Sequence, residues 1–207
     1  NNDLVDVRFA AFNGDMDEAT DDDVVDTFVA AASISPGEAL SFGIYWMSDL
    51  GESDGLEEAL SDSLAGHDEY VGVADGAPVV MPGRVGVPYD EVAGAGAFVS
   101  LGVDPVTVYM EYLGALDEFA PGLLAETAVK PQAWNVEAWL TVTDTWEAAA
   151  RYEGSDEYPG MPDTQCGICI AHALMERCQL ACEFMHGEFD DGTEDRDMVT
   201  VQLAAEF

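Results

Sequence analysis

The chain has 207 residues, of which 42 are acidic and 6 basic, and its formal net charge at pH 7 is −36. Such charge opposes compaction in dilute buffer, whereas molar salt shortens the Debye length to about 3 Å and screens the repulsion. Hydrophobic residues still make up 48% of the chain, which excludes an acidic disordered tail. We therefore interpret the chain as a folded protein adapted to extreme salinity.

The same charge restricts the classes of partner. Binding to phosphates requires clustered Lys and Arg, but Lys130 is the only lysine and no basic cluster exists. No apolar stretch approaches the ~18 residues of a membrane-spanning helix. We therefore expect no nucleic acid partner, no binding to anionic membranes, no membrane insertion, and bulk solvent cations around the acidic surface. The length predicts a single β-rich domain over 1–207.

Strand patterns dominate the first part of the chain. Residues 4–12 alternate between apolar and polar positions, which predicts a half-buried strand. Residues 27–35 and 39–47 predict two more strands, joined by a tight connection at Pro36-Gly37. Residues 54–65 carry leucines at a spacing of four and predict a short amphipathic helix.

The next part, residues 69–113, returns to strand character. Its glycines at positions 94, 96 and 102 would weaken an isolated strand. Within a larger sheet, such glycines mark bulges or close approaches of the backbone. We therefore expect several sheet strands in this part, with these glycines at bulges or close approaches of the backbone.

Residues 134–142 alternate strictly and predict a further strand, with its apolar side chains on one face. Trp139 breaks the pattern because it is a large aromatic residue on the polar face. We predict that Trp139 contacts a neighbouring subunit, because interfaces are enriched in exposed aromatic residues. A second core layer is the alternative explanation.

Residues 163–187 predict a longer helix that ends at Gly187. Its polar side chains recur at helical steps, and its apolar side chains lie opposite. The polar stripe contains His172, Glu176, Gln179, Glu183 and His186. A closing strand is predicted over 197–207. Together, these patterns predict a mainly β fold: a jelly-roll or β-sandwich body with one short helix (54–65) and one longer C-terminal helix (163–187).

All four cysteines lie close together, with His172 and His186 nearby. Thiolate and imidazole ligands at such spacings form tetrahedral zinc sites, although the second half of the pattern, Cys-x3-Cys, is not a standard zinc knuckle. Buried thiols and disulfide bonds are the alternatives. We predict no metal and no cofactor. The candidate metal ligands, were a site present, are Cys166, Cys169, Cys178 and Cys182.

Motifs of nucleophilic catalysis and nucleotide binding are missing from the sequence. It has no G-x-S-x-G elbow, and the glycines at 94–102 lead into a strand instead of a phosphate-binding helix. No catalytic residue is predicted, and we expect a protein that is not an enzyme.

In its strand pattern and acidity over most of the chain, the sequence resembles the single jelly-roll capsid proteins of haloarchaeal icosahedral viruses. The resemblance implies a structural subunit of a halophilic virion that assembles through apolar contacts in high salt. Its partners would be copies of itself and other virion proteins, in the virion and, during assembly, in the cytoplasm of the archaeal host. The alternatives are a tail-tube subunit of a halophilic tailed virus and a halophilic enzyme or metal-binding protein built around the Cys166–His186 segment.

Overall fold

The computed structural model describes twelve strands. The described residues are 4–12, 25, 27–53, 55–56, 60, 70–74, 77–81, 91–175, 177–190 and 192–205. The strands are β1 (Val5–Phe12), β2 (Thr27–Gly37), β3 (Leu40–Met47), β4 (Tyr70–Ala74), β5 (Ala77–Met81), β6 (Gly94–Val103), β7 (Val106–Ala115), β8 (Gln132–Thr143), β9 (Trp146–Asp156), β10 (Thr164–Met175), β11 (Cys178–Glu188) and β12 (Arg196–Ala205).

Ten of these strands form one antiparallel sheet in the order β1-β2-β3-β6-β7-β8-β9-β10-β11-β12. Strands β4 and β5 pair with each other as a separate hairpin. The predicted jelly-roll or β-sandwich with helices is therefore wrong, because either fold needs two sheets packed face to face. Alternation along a strand is common to all of these folds and does not encode which strands pair.

The predicted helix at 163–187 is also wrong, because this segment forms the hairpin of β10 and β11. In its register Cys166 lies opposite His186, and Ile170 lies opposite Cys182. The helical stripe extends across the connection between Met175 and Cys178, whereas the residues before and after this connection each alternate with period two. Pairing with β9 and β12 on the two outer sides completes the hydrogen bonding of this hairpin.

Most of the predicted helix at 54–65 lies outside the described residues. Its described members Leu56 and Leu60 are fully buried. The strands predicted at 4–12, 134–142 and 197–207 are confirmed as β1, β8 and β12. Strand β9 was not predicted.

The connections divide the sheet into two different ends. At one end, here called the turn end, the strands are joined by two-residue connections at 38–39, 104–105, 144–145 and 176–177. At the other, the loop end, longer stretches join the strands, including 116–131, 157–163 and 189–195. The turn between β2 and β3 lies at 38–39 and not at Pro36-Gly37, because β2 continues to Gly37.

The buried apolar core of the described residues lies at the loop end. Met47 and Leu113 pack against it from the ends of β3 and β7. Backbone hydrogen bonds hold the stretches that supply it, from Leu50 N to Val92 O (2.7 Å) and from Phe119 N to Val129 O (2.8 Å). The core residues are Leu50, Leu56, Leu60, Val92, Ala115, Phe119, Leu123 and Val129.

Candidate functional site

The ten-stranded sheet has one face that is almost entirely apolar, here called the apolar face. Directly opposite residues in an antiparallel pair share a face, so the register assigns each side chain. Val7 is 73% exposed, Ile44 65% and Val199 68%. Exposed apolar side chains are common when they are scattered singly, but here they form one continuous face. The large exposed side chains of this face include Val5, Val7, Phe9, Ile34, Phe42, Ile44, Trp46, Leu101, Met110, Tyr112, Trp134, Leu140, Tyr152, Ile168, Ile170, Leu180, Phe184, Val199, Val201 and Leu203.

Charged groups on the apolar face are confined to the loop end, within the described strands. Asp156 lies there at the end of β9, opposite Gln132. Glu188 lies opposite Thr164, and Asp197 lies opposite His186, whose Nδ1 is 2.8 Å from Asp197 Oδ1. The middle of this face therefore carries no charge, although the chain as a whole is strongly acidic.

Aromatic side chains mark both borders of the apolar face. Near the loop end, Tyr112 lies opposite Trp134, and the Trp134 and Tyr152 rings contact edge to face at 5.2 Å between centroids. At the turn end, Trp146 stacks on His172 with 4.1 Å between centroids. Tyr and Trp favour such borders because one end of the ring system is apolar and the other is polar.

The opposite face, here called the polar face, carries a hydrogen-bonded cluster of tyrosine and carboxylate groups. The Tyr45 hydroxyl donates to Glu111 Oε1 at 2.8 Å, and the Tyr109 hydroxyl donates to Glu111 Oε2 at 3.0 Å. Tyr45 reaches Glu111 across β6 because Gly96 leaves the space: a Cβ there would lie 2.3 Å from Tyr45 Cζ. The expected close approach at Gly96 is thus confirmed.

A second polar cluster spans β9, β10, β11 and the start of β12. Arg151 forms ion pairs with Glu153 (3.2 Å) and Glu183 (3.3 Å). Gln165 Nε2 donates to Glu153 Oε1 at 2.6 Å, and Arg196 Nη2 donates to Gln165 Oε1 at 3.3 Å. The charge of Glu153 is therefore balanced by a half-buried guanidinium and held by a side-chain amide.

A cavity of about 250 Å³ lies between the two clusters, lined by Tyr45, Glu111, Leu113, Ala133, Asn135, Glu153, Met161 and Pro162 among others. The Ser155 hydroxyl fixes one wall by donating to Pro162 O at 2.8 Å. A wider cavity of about 870 Å³ at the loop end shares Ser155 and Met161 with it. The two cavities together extend from the loop end onto the polar face.

The four candidate metal ligands are free cysteines that do not converge. Cys166, Cys178 and Cys182 lie on the apolar face, whereas Cys169 lies on the polar face. Cys166 and Cys182 lie on neighbouring strands, and their register positions are four residues apart, which is about 13 Å along a strand. Among the described residues, no group of three or more His, Cys, Asp or Glu is placed to hold a metal ion.

Trp139 lies on the polar face near the turn end, opposite Thr107 and Ala149. Its side chain is exposed, and its Nε1 donates a hydrogen bond to Glu137 Oε1. The interface role assigned to Trp139 stays a prediction.

No functional role was predicted from the sequence for the residues that form the polar clusters. Glu111 belongs to a stretch recognised only as strand, and Arg151 and Glu153 belong to β9, which was not predicted. Their signal was the spacing of charged residues at every second position, Arg151 to Glu153, inside a run of small and aromatic residues. Their hydrogen-bond and ion-pair partners, Tyr45 on β3, Gln165 on β10 and Glu183 on β11, have no such local signal in the sequence.

Comparison with known proteins gives similarity in fold alone. No protein-family model matches the chain, and no curated protein matches it. The crystal structure of the P. putida toluene transporter TodX is similar at a TM-score of 0.52 and 10% sequence identity, over 87% of this chain and 49% of that chain. This chain thus spans about half the length of that transporter. Among the described residues, no helix is long and apolar enough to cross a membrane.

Proposed function

We propose that the sheet works in a lipid bilayer, with hydrocarbon against the apolar face and the polar face lining a passage for small molecules. The observation that carries this proposal is the exposed apolar face, which is uncharged between its ends and has aromatic side chains at both borders. Lipid-facing strands alternate in this way and carry aromatic side chains at the two membrane interfaces.

The dimensions of the sheet support the proposal. Its strands have 8 to 12 residues, which at about 3.3 Å per residue extend about 26 to 40 Å. A tilted strand needs only about 9 to 11 residues to cross a bilayer. The expectation of no membrane insertion rested on the length that a helix requires, and that criterion does not apply to strands. The expectation from charge concerns anionic membranes, and the acidic residues still disfavour these.

The distribution of charge is compatible with lipid on one side. The acidic residues of the apolar face lie at the loop end, where they would meet water and headgroups. The ion pairs and carboxylates of the sheet centre lie on the polar face. Transport of small molecules is further supported by the fold shared with a toluene transporter.

In hydrocarbon, the outer edges of β1 and β12 must also be paired, because unpaired backbone groups are costly there. Among the described residues, each of these strands has one neighbour. We propose that strands of a second copy cover these edges. The mass of the protein in lipid nanodiscs tests this, and a single copy per disc would contradict it.

Trp fluorescence tests whether lipid contacts the apolar face, since the four tryptophans are divided between the two faces of the sheet. Single-tryptophan variants that retain Trp134 or Trp139 form a matched pair on strand β8. In vesicles of brominated phosphatidylcholine, we expect strong quenching of Trp134, on the apolar face, and little quenching of Trp139, on the polar face. Equal quenching of both, or protein that stays out of the vesicles, would contradict the proposal.

The virion hypothesis predicts a different result in the same experiment. If copies or other virion proteins cover the apolar face, Trp134 will be buried in a lipid-free assembly and its emission will shift to the blue without bromine quenching. That outcome would favour the structural subunit predicted from the sequence.

A further inference from the structure

The cavity on the polar face combines negative charge, unfilled hydrogen-bond capacity and apolar walls. Glu111 supplies the charge, and both of its oxygens accept from tyrosine hydroxyls. Among the described residues, no Lys, Arg or His forms an ion pair with Glu111, in contrast to Glu153 with its Arg151. The carboxylate of Glu111 is thus anchored without a counter-charge.

Asn135 adds an unused acceptor to the same cavity. Its Oδ1 atom is buried and has no hydrogen-bond partner in the structure, although buried polar atoms are nearly always paired. An acceptor in this position is satisfied by a ligand or water that donates an N–H or O–H. Glu111 and Asn135 therefore both favour a ligand that donates hydrogen bonds, and the negative charge of Glu111 favours a cation.

Apolar side chains supply most of the remaining wall, Leu113 and Ala133 on the strands and Met161 and Pro162 on the loop. Glu153 and Ser155 also line the cavity, but Glu153 is already paired with Arg151 and the Ser155 hydroxyl already donates to Pro162 O. A volume of about 250 Å³ is several times the roughly 30 Å³ that one water molecule occupies in the liquid. A bare metal ion would leave most of this space and all of the apolar wall unused. An organic cation with a short hydrocarbon body fills both parts.

We propose that this cavity binds small organic ammonium ions, with the ammonium group at Glu111 and Asn135 and the hydrocarbon body against Leu113 and Met161. The proposed binding site depends on the proposed function in one respect only, namely that the cavity lies along a transport passage. Binding in detergent does not depend on that function, so each can fail without the other.

Calorimetry with benzylammonium as the probe tests the site in detergent-solubilised protein. Benzyl alcohol and toluene serve as neutral ligands of similar shape. We expect benzylammonium to bind about tenfold or more tightly than benzyl alcohol, because only the ammonium ion adds a charge–charge attraction to its hydrogen bond with the Glu111 carboxylate. Glu111→Gln should remove this preference.

Two further variants keep the test decisive. Glu147→Gln removes a carboxylate from the polar face outside the cavity and should leave benzylammonium binding unchanged. Asn135→Asp adds a carboxylate inside the cavity and should tighten binding, which a misfolded variant would not do. Equal affinity for benzylammonium, benzyl alcohol and toluene, or no binding of benzylammonium to the wild-type protein, would overturn the proposal.

Discussion

At the scale of single residues, Gly96 decides whether the tyrosine cluster forms. The Tyr45 side chain occupies the space over Gly96, and Tyr112 O lies 2.6 Å from the place where a Cβ would stand. The backbone oxygen cannot move away without disturbing the pairing of β6 with β7. Gly102, on the same strand, has only Thr107 Oγ1 nearby, at 3.6 Å.

These two glycines form a matched pair for mutagenesis. Gly96→Ala should displace Tyr45, break its hydrogen bond to Glu111 and lower the free energy of unfolding by about 1 to 3 kcal/mol, as overpacking does. Gly102→Ala should change it by less than about 0.5 kcal/mol. Urea unfolding in detergent, followed by circular dichroism, measures both. Equal losses in the two variants would contradict the role given to Gly96.

At the scale of elements, the hairpin of β10 and β11 shows how a local pattern misled the prediction. Its cysteines and histidines are consistent with a helix when read as one run from 163 to 187. Within the sheet they divide between two faces, with Cys169 on one and Cys182 on the other. Cys182 is therefore not buried against a helix core as predicted. Its side chain is exposed on the surface of the sheet.

The protection of Cys182 then depends on what covers the apolar face. In a variant that retains Cys182 as its only cysteine, we expect a hydrophilic maleimide to react at least about tenfold more slowly in vesicles than after denaturation, because thiolate hardly forms in hydrocarbon. A cysteine-free variant with Glu194→Cys, exposed at the loop end, should react quickly in both conditions. Rapid reaction of Cys182 in vesicles would show that lipid does not cover this position.

At the scale of the whole molecule, the charge and the position of the core act together. The buried core of the described residues lies at the loop end, so little apolar burial on the sheet itself opposes the repulsion among 42 acidic residues. The adaptation to salt inferred from composition stays a prediction. The small apolar burial on the sheet gives a further reason to expect it.

Lowering NaCl from molar concentration to about 0.1 M lengthens the Debye length from about 3 Å to about 10 Å and restores that repulsion. We expect the circular dichroism of the native sheet to decrease on this dilution. Acidification at low salt should partly restore it, because protonated carboxylates no longer repel one another. A spectrum that stays native throughout would contradict the salt requirement.

The sequence by itself determined the strands with clear alternation, such as β1 and β8, and the strongly acidic character of the chain. These follow from neighbouring residues and from composition, which need no tertiary contact. Only the tertiary structure decided the meander order of the sheet, the division of 163–187 into two strands and the meeting of Tyr45 with Glu111. The physical reason is that strand pairing and side-chain contacts between strands join residues far apart in the chain. An apolar strand face has the same pattern whether a second sheet or another apolar surface covers it.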